Sequence, residues 1–335
     1  MTFRLFCRIS FFMKTFRMIL CIGIVCFLAF TPTLLVSEAQ DSFIDARFVR
    51  KPQPFQGQIV VYHIVRQKPY SGSLTEWLKN RAAEYGKKHK GVHIEIEGMD
   101  EQAFYERLEN GRTADAYSFF SGTMYPDRLR PIPDLKFAYR SGLFQSEYAV
   151  PYCYSGYCKL VKKQEGTGEK AYYANDLLAA RNEAGENEAS EEKADVLYLD
   201  LRRAGDLIRY KDGFSLSTIE PIDSFSDAVC WIGIDRNTDE QRAEILMDFV
   251  SYLLSEEAQI TLNALGLFAV SENVKNVPPD GSLKKVFMVY ESVQTVDPFL
   301  WQAGYDSLLH DAKLARSGDQ EANERFRNRM LELLR

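Results

Sequence analysis

Ile59-Val60-Val61-Tyr62-His63-Ile64-Val65 is a nearly unbroken run of apolar and β-branched residues. Such a run marks a strand covered on both faces, as the inner strands of a parallel sheet are. A strand-helix alternation follows it. After a turn, Ser73 and Glu76 form a capping box, and Leu74, Trp77, Leu78, Ala82 and Tyr85 share one helical face. Val92, Ile94 and Ile96 then alternate with polar residues up to Glu97. Asp100 caps a shorter helix carrying Phe104 and Leu108, which Asn110-Gly111 ends, and Ala114 to Phe120 reads as a third strand. Short loops cannot join parallel neighbours directly, so this order calls for parallel strands linked by crossover helices. The fold class is α/β, a doubly wound layer whose ligands sit at the carboxyl ends of the strands. Those ends are Tyr62-His63 and beyond, the Gly98-Met99-Asp100 loop, and Ser118 to Gly122.

The amino-terminal stretch carries Arg4, Arg8, Lys14 and Arg17, then an apolar run from Met18 to Phe30, Pro32, and the tripeptide Ser37-Glu38-Ala39. That basic, apolar, small-residue order predicts a secretory signal over residues 1–39, and export to a periplasmic or cell-surface location. Pro32 and its flanking threonines interrupt the roughly 20 apolar residues that a membrane helix needs. Cleavage after Ala39 is therefore expected; an uncut segment would instead anchor the chain. No small residue directly precedes Cys21 or Cys26, so no lipid anchor is predicted. Without residues 1–39 the chain keeps 37 basic and 46 acidic residues, a net charge of −9. Nucleic acid is a poor partner for such a surface. The 296 residues left exceed what one core usually organises, so two lobes are expected. Only Cys153, Cys158 and Cys230 remain, an odd number that argues against a disulfide scaffold. Cys153 and Cys158 are left as either a small disulfide loop or two buried thiols.

Farther along, Ala149-Val150-Pro151-Tyr152 reads as an extended piece crossing to a second lobe. Residues 164–193 turn acidic around a helix from Tyr172 to Arg181. Val229 to Ile234 is a further strand, and Thr238 with Gln241 reads as a capping box for the helix bearing Ile245, Leu246, Phe249, Val250 and Leu253. Ser255 restarts a helix that stops at Gly266, Leu267 to Val270 is extended, and the tail is helical over 299–316 and 321–334 around Gly318.

Three stretches carry a resemblance. They are Trp231-Ile232-Gly233-Ile234, the helical Asp248-Phe249-Val250-Ser251-Tyr252-Leu253-Leu254-Ser255-Glu256-Glu257-Ala258-Gln259 with Gly266-Leu267-Phe268-Ala269-Val270 after it, and Asp297-Pro298-Phe299-Leu300-Trp301. In order and spacing the chain resembles the extracellular solute-binding proteins of ABC importers, in particular the carbohydrate-binding branch that includes the maltose-binding type. The resemblance covers most of the chain after Pro54. It implies a two-lobed periplasmic-binding-protein-like fold of type II with discontinuous lobes: residues 55–150 with 226–272, and 151–225 with 273–335. It also implies a monomer that captures a small solute between its lobes and delivers it to ABC transporter permease subunits. The middle section is shorter than is usual in that family, which bears on the size of the second lobe.

Sugars present apolar C–H faces and a polar rim, so a sugar cleft calls for flat aromatic platforms and a few donors and acceptors. Trp301 stands where the resembled family places a cleft aromatic, and Trp231 begins near the lobe junction; a place in the core is the competing role of each. Tyr62 and His63 close the first strand, where alternation sends one of the two toward the cleft. Phe119, Ser121 and Gly122 leave the third strand, and Tyr152, with Tyr154, flanks the crossing. Trp77 belongs to the core at helical spacing, Asp115 to a turn, and Asp223 and Asp227 to a solvated turn or to hydroxyl ligands. His63, His89, His93 and His310 lack metal-site spacing, and no nucleophile elbow or phosphate loop occurs, so no metal, cofactor or catalytic residue is predicted. The reading is a binding protein, not an enzyme; its rivals are a secreted carbohydrate-active enzyme and a sensor or envelope protein of the same fold.

Overall fold

Strand β1 spans Gly57–Ile64, with Ile59, Val61 and Tyr62 through Ile64 buried. The computed structural model that contains it describes residues 55–66, 69–133, 137–162, 170–173, 187–188, 190–210, 216–221 and 225–333. The expected signal segment lies outside them. Strands β2 (Val92–Met99) and β3 (Ala116–Phe120) run parallel to β1 on its two sides, with Val61 opposite both Ile96 and Ala116. The crossovers are helices α1 (Leu74–Lys88) and α2 (Glu101–Glu109). Ser73 Oγ accepts the Glu76 N–H, and Asp100 Oδ1 accepts the Ala103 N–H, so each helix starts where its capping residue stands.

The chain continues through β4 (Val150–Tyr154), β5 (Tyr157–Lys162), β6 (Lys170–Tyr173), β7 (Asn187–Glu188), β8 (Val196–Asp200), helix α3 (Leu201–Tyr210) and β9 (Leu216–Pro221). It then returns through β10 (Val229–Ile234), α4 (Glu240–Leu253), α5 (Glu256–Gln259) and β11 (Phe268–Ala269), and ends in α6 (Lys284–Tyr290), α7 (Pro298–Arg316) and α8 (Gln320–Leu333). Two sheets result. The first has the order β11-β4-β10-β3-β1-β2, with β10 antiparallel to both β3 and β4. The second has the order β7-β6-β8-β5-β9. Alternation along β8 divides the cover of this second sheet: Val196 and Tyr198 pack with Phe326, Met330 and Leu308 of the tail helices, whereas Leu197 and Leu199 join the main core.

Four expectations change. Tyr172 and Tyr173 lie in strand β6 rather than opening a helix, because buried Ala171 pairs with Val196 and draws the segment into the sheet; residues 174–186 are outside the described residues. The cap of α4 is Asp239, whose carboxylate accepts the Arg242 N–H at 3.0 Å, while the Thr238 hydroxyl donates instead to the Asp115 carbonyl. Strand β3 starts at Ala116, since Asp115 is held aside, its carboxylate accepting the Val60 N–H and pairing with Arg242, both at 2.9 Å. Val150–Tyr154 does not itself cross; it pairs between β10 and β11, and the chain leaves the first sheet at Ser155-Gly156.

Two contacts bind the sheets together. At the crossing, the Tyr154 hydroxyl donates to the Tyr290 carbonyl at 2.7 Å, and the Tyr157 N–H donates to the Tyr290 hydroxyl at 2.8 Å. The Tyr290 ring lies so close that a Cβ on Gly156 would meet it at 2.6 Å. The second contact is Tyr70, from the loop after β1. It is 1% exposed and sits on Gly205 of α3, where a side chain would meet the ring at 2.4 Å. The Arg209 guanidinium lies 3.9 Å from its ring centroid, and Arg202 donates to its carbonyl at 3.0 Å. Tyr70→Ala should cost about 3 kcal/mol, as truncations of buried aromatics do. Arg209→Ala should cost about 1 kcal/mol, and the double variant less than the sum. Urea titration of the four chains measures this, and an unchanged midpoint in Tyr70→Ala would remove Tyr70 as a clasp between the sheets.

Candidate functional site

The carboxyl ends of β1 and β3 and the amino end of β10 meet at one edge of the first sheet, because β10 runs antiparallel to β3. Ser121 and Gly122 form the turn there. The Ser121 N–H donates to the Val229 carbonyl at 3.3 Å, and Gly122, at φ 84°, donates to the Pro298 carbonyl at 2.8 Å. That positive φ is open to glycine at little cost, so the turn can press its backbone against the start of α7. Thr123 locks the turn, its hydroxyl donating to the Phe120 carbonyl at 2.8 Å. Arg66, exposed beyond the end of β1, donates to the Ser121 carbonyl at 3.4 Å.

Beneath this turn lies an aromatic floor. Trp231 is wholly buried, and its indole N–H donates to Ser121 Oγ at 3.0 Å. Phe119, also buried, is opposite Trp231 in the ladder and packs on Phe299 with ring centroids 6.1 Å apart. Phe299 also meets Tyr148 edge-on at 6.3 Å. The backbone of Trp301 continues the same first turn of α7; its side chain lies outside the described residues. The fold thus brings Phe119, Ser121, Gly122, Trp231 and the helix turn of Trp301 to one place.

Tyr62, His63 and Tyr152 are placed differently. Tyr62 is 5% exposed, packs on Tyr117, and lies under the Arg107 guanidinium, 5.1 Å from its ring centroid. His63 and Tyr152 are buried and joined through Ser118: His63 Nδ1 lies 2.9 Å from Ser118 Oγ, which lies 2.8 Å from the Tyr152 hydroxyl. Tyr152 in turn stacks on Trp77 at 6.1 Å. The His63–Ser118 pair is walled off from solvent, and the Ser118 hydroxyl is engaged from both sides. Among the described residues no group of His, Cys, Asp and Glu is placed to hold a metal ion.

Sequence reasoning missed the polar crossing beside this edge. The Ser155 N–H donates to the Ala228 carbonyl and the Ser226 hydroxyl to the Ser155 carbonyl, at 2.8 and 2.9 Å. Ser226 N–H reaches the Gln294 carbonyl at 2.8 Å, so three chain segments lie side by side. Nothing in the local sequence around Ser226 or Tyr290 marks these roles. Arg66, by contrast, was within reach of the rule that strand ends carry the site.

Burial pushes the His63 imidazole down to about 4. In the unfolded chain it takes its proton near 6.5, so below that pH the unfolded state binds more protons and stability falls until about pH 4. Unfolding titrations at pH 7 and pH 4.5 should show a loss about 2 kcal/mol smaller in His63→Gln than in the parent. Equal losses in the two chains would mean that His63 is not held neutral by its burial.

No family model matches the sequence, and a search of curated proteins gives no match. Solved structures do match in three dimensions. The fold is similar to that of a cyclic alpha-maltosyl-1,6-maltose binding protein from Arthrobacter globiformis, with a TM-score of 0.57 and 9% identity over 82% of this chain and 97% of that one. It is similar to the ABC substrate-binding protein Lmo0181 from Listeria monocytogenes, in complex with cycloalternan, at 0.52 and 12% over 82% and 97%. Iron-bound HitA from Pseudomonas aeruginosa aligns at 0.51 and 11% over 76% and 99%. Identity this low speaks to architecture and not to solute. The chain therefore has the two-lobed α/β fold of the periplasmic-binding-protein-like substrate-binding proteins.

Proposed function

We propose that the chain is an exported solute-binding protein that captures a small solute, a sugar or oligosaccharide, between two lobes and delivers it to the permease subunits of an ABC importer. The observation that carries this reading is the sheet-edge turn at Ser121-Gly122, where an aromatic floor, an exposed arginine and the start of α7 converge beside the crossing between the sheets. The lobes are residues 55–155 with 226–272 and residues 156–225 with 273–335, the first boundary lying where the chain leaves β4. Closure is hinge motion about the crossing segments, favoured when solute contacts are shared by both lobes. In this reading Trp301 and Gly122 touch the solute. Trp231, Phe119 and Ser121 are the floor beneath them, while Tyr62, His63 and Tyr152 fix the strand ends from below. The neighbours named for a cyclic maltosyl-maltose and for cycloalternan support a sugar; in this reading the protein acts as a monomer. Among the described residues no helix is long and apolar enough to cross a membrane.

A thermal-shift screen of the purified chain against maltodextrins, other sugars, amino acids, polyamines and peptides identifies the solute, and calorimetry then gives its affinity. Trp301→Ala should weaken binding at least tenfold. Ser121→Ala removes the acceptor of the Trp231 indole N–H with little change in volume, so it should weaken binding about fivefold, the equivalent of one hydrogen bond. Unchanged affinity in both variants would place the site elsewhere, and release of a product from the bound sugar would favour a carbohydrate-active enzyme.

A further inference from the structure

Cys153 on β4 and Cys230 on β10 are directly opposite each other across antiparallel strands. Opposed residues in such a ladder have Cα atoms about 4.5–5.5 Å apart, inside the roughly 4.4–6.8 Å over which a disulfide closes without backbone movement. The ladder slips beyond them: Trp231 pairs with Pro151, which leaves Tyr152 as the extra residue of a β-bulge. The Cys230 thiol consequently meets both the Cys153 thiol and the Tyr152 hydroxyl. Both thiols are free here and almost wholly buried, at 0% and 2% exposure. Cys158 is no rival partner, because it lies in the second sheet between Leu199 and Pro221.

We propose that Cys153 and Cys230 are the two halves of a structural disulfide, formed as the chain folds in an oxidising compartment, that staples together the strands from which both sheet-to-sheet crossings depart. Cys153 stands just before the Ser155-Gly156 crossing, and Cys230 just after Ala228, where the chain returns. The oxidant is a disulfide, either small-molecule or on a thiol oxidase. One cysteine thiolate attacks it, a mixed disulfide forms and one thiol leaves; the second cysteine thiolate then attacks the mixed disulfide and displaces the other thiol. Two cysteines each lose a proton and an electron, and the oxidant is reduced to two thiols. The bond forms before burial is complete, because neither thiol is open to solvent afterwards. It closes a loop that contains the whole second sheet, and long loops gain most from closure.

The test uses the full chain, reduced and unfolded, then refolded either with reduced and oxidised glutathione or with reductant alone. Proteolysis and mass spectrometry without reduction should find a peptide pair joining Cys153 to Cys230 in the first sample only. The oxidised chain should melt at least about 5 °C above the reduced one. Cys158→Ala should keep both the link and the shift, and Cys153→Ala should lose both. Complete alkylation of Cys153 and Cys230 in the glutathione-refolded chain after unfolding, or a link through Cys158, overturns the proposal. The map is read on the unsubstituted chain, so it does not depend on any variant folding. The refolding sample needs no export, so a failure of the signal reading would leave this result standing.

Discussion

Tyr290 holds the point at which the chain passes from one sheet to the other, and the arrangement of both sheets hangs on it. A strand that leaves a ladder gives up partners for its N–H and carbonyl groups, and such groups are costly to bury unpaired. Tyr290 supplies a hydroxyl to the Tyr157 N–H and a carbonyl to the Tyr154 hydroxyl, so both of these donors are paired at the step from β4 to β5. Gly156 lets the ring approach. The neighbouring segments at Ser226 and Gln294 are then tied to the same spot by backbone bonds, which keeps the crossings together as one narrow band.

The interior of the first sheet is more polar than its apolar strands suggest, and that polarity is satisfied in pairs. His63, Ser118 and Tyr152 form one chain, and Trp231 and Ser121 another; Tyr117 donates to Asp235 at 2.7 Å on the far side. Burial first, and then the Asp235 carboxylate, push the Tyr117 hydroxyl well up, so it remains a donor. Paired groups of this kind cost little in net stability and fix the register of strands that apolar packing alone would allow to slide. The turn at Ser121 and Gly122 consequently rests on a layer of buried, paired groups.

Solved structures sharing the architecture include a cyclic alpha-maltosyl-1,6-maltose binding protein, a substrate-binding protein in complex with cycloalternan and an iron-bound protein. A common scaffold places strand ends and helix starts around one edge, and the side chains set on that edge decide what is bound. In this chain that place holds a glycine turn and an exposed arginine over buried Trp231 and Phe119.

The alternation of strands and helices from Ile59 to Phe120 was legible in the sequence, because a parallel layer leaves two strong local marks: both-faced apolar strands and capped amphipathic helices. Ser73, Asp100, Ser255 and Gly266 act as their residue types dictate. The second sheet was not legible in the same way. Strands β5, β6 and β8 take their identity from pairing with segments far along the chain, and Tyr172-Tyr173 has no local preference strong enough to resist it. Of the site, sequence picked out Phe119, Ser121, Gly122 and Trp231 by their place at strand ends, but not that Trp231 would be buried beneath Ser121, nor that His63 and Tyr152 would meet through Ser118. Local pattern determined the strands and helices of the first layer, whereas the pairing of Cys153 with Cys230 within the first sheet, and the clasp of Tyr70 on α3 and the clamp of Tyr290 between the sheets, were decided by tertiary structure, since each joins residues that no periodicity relates and that meet when distant segments pair or pack.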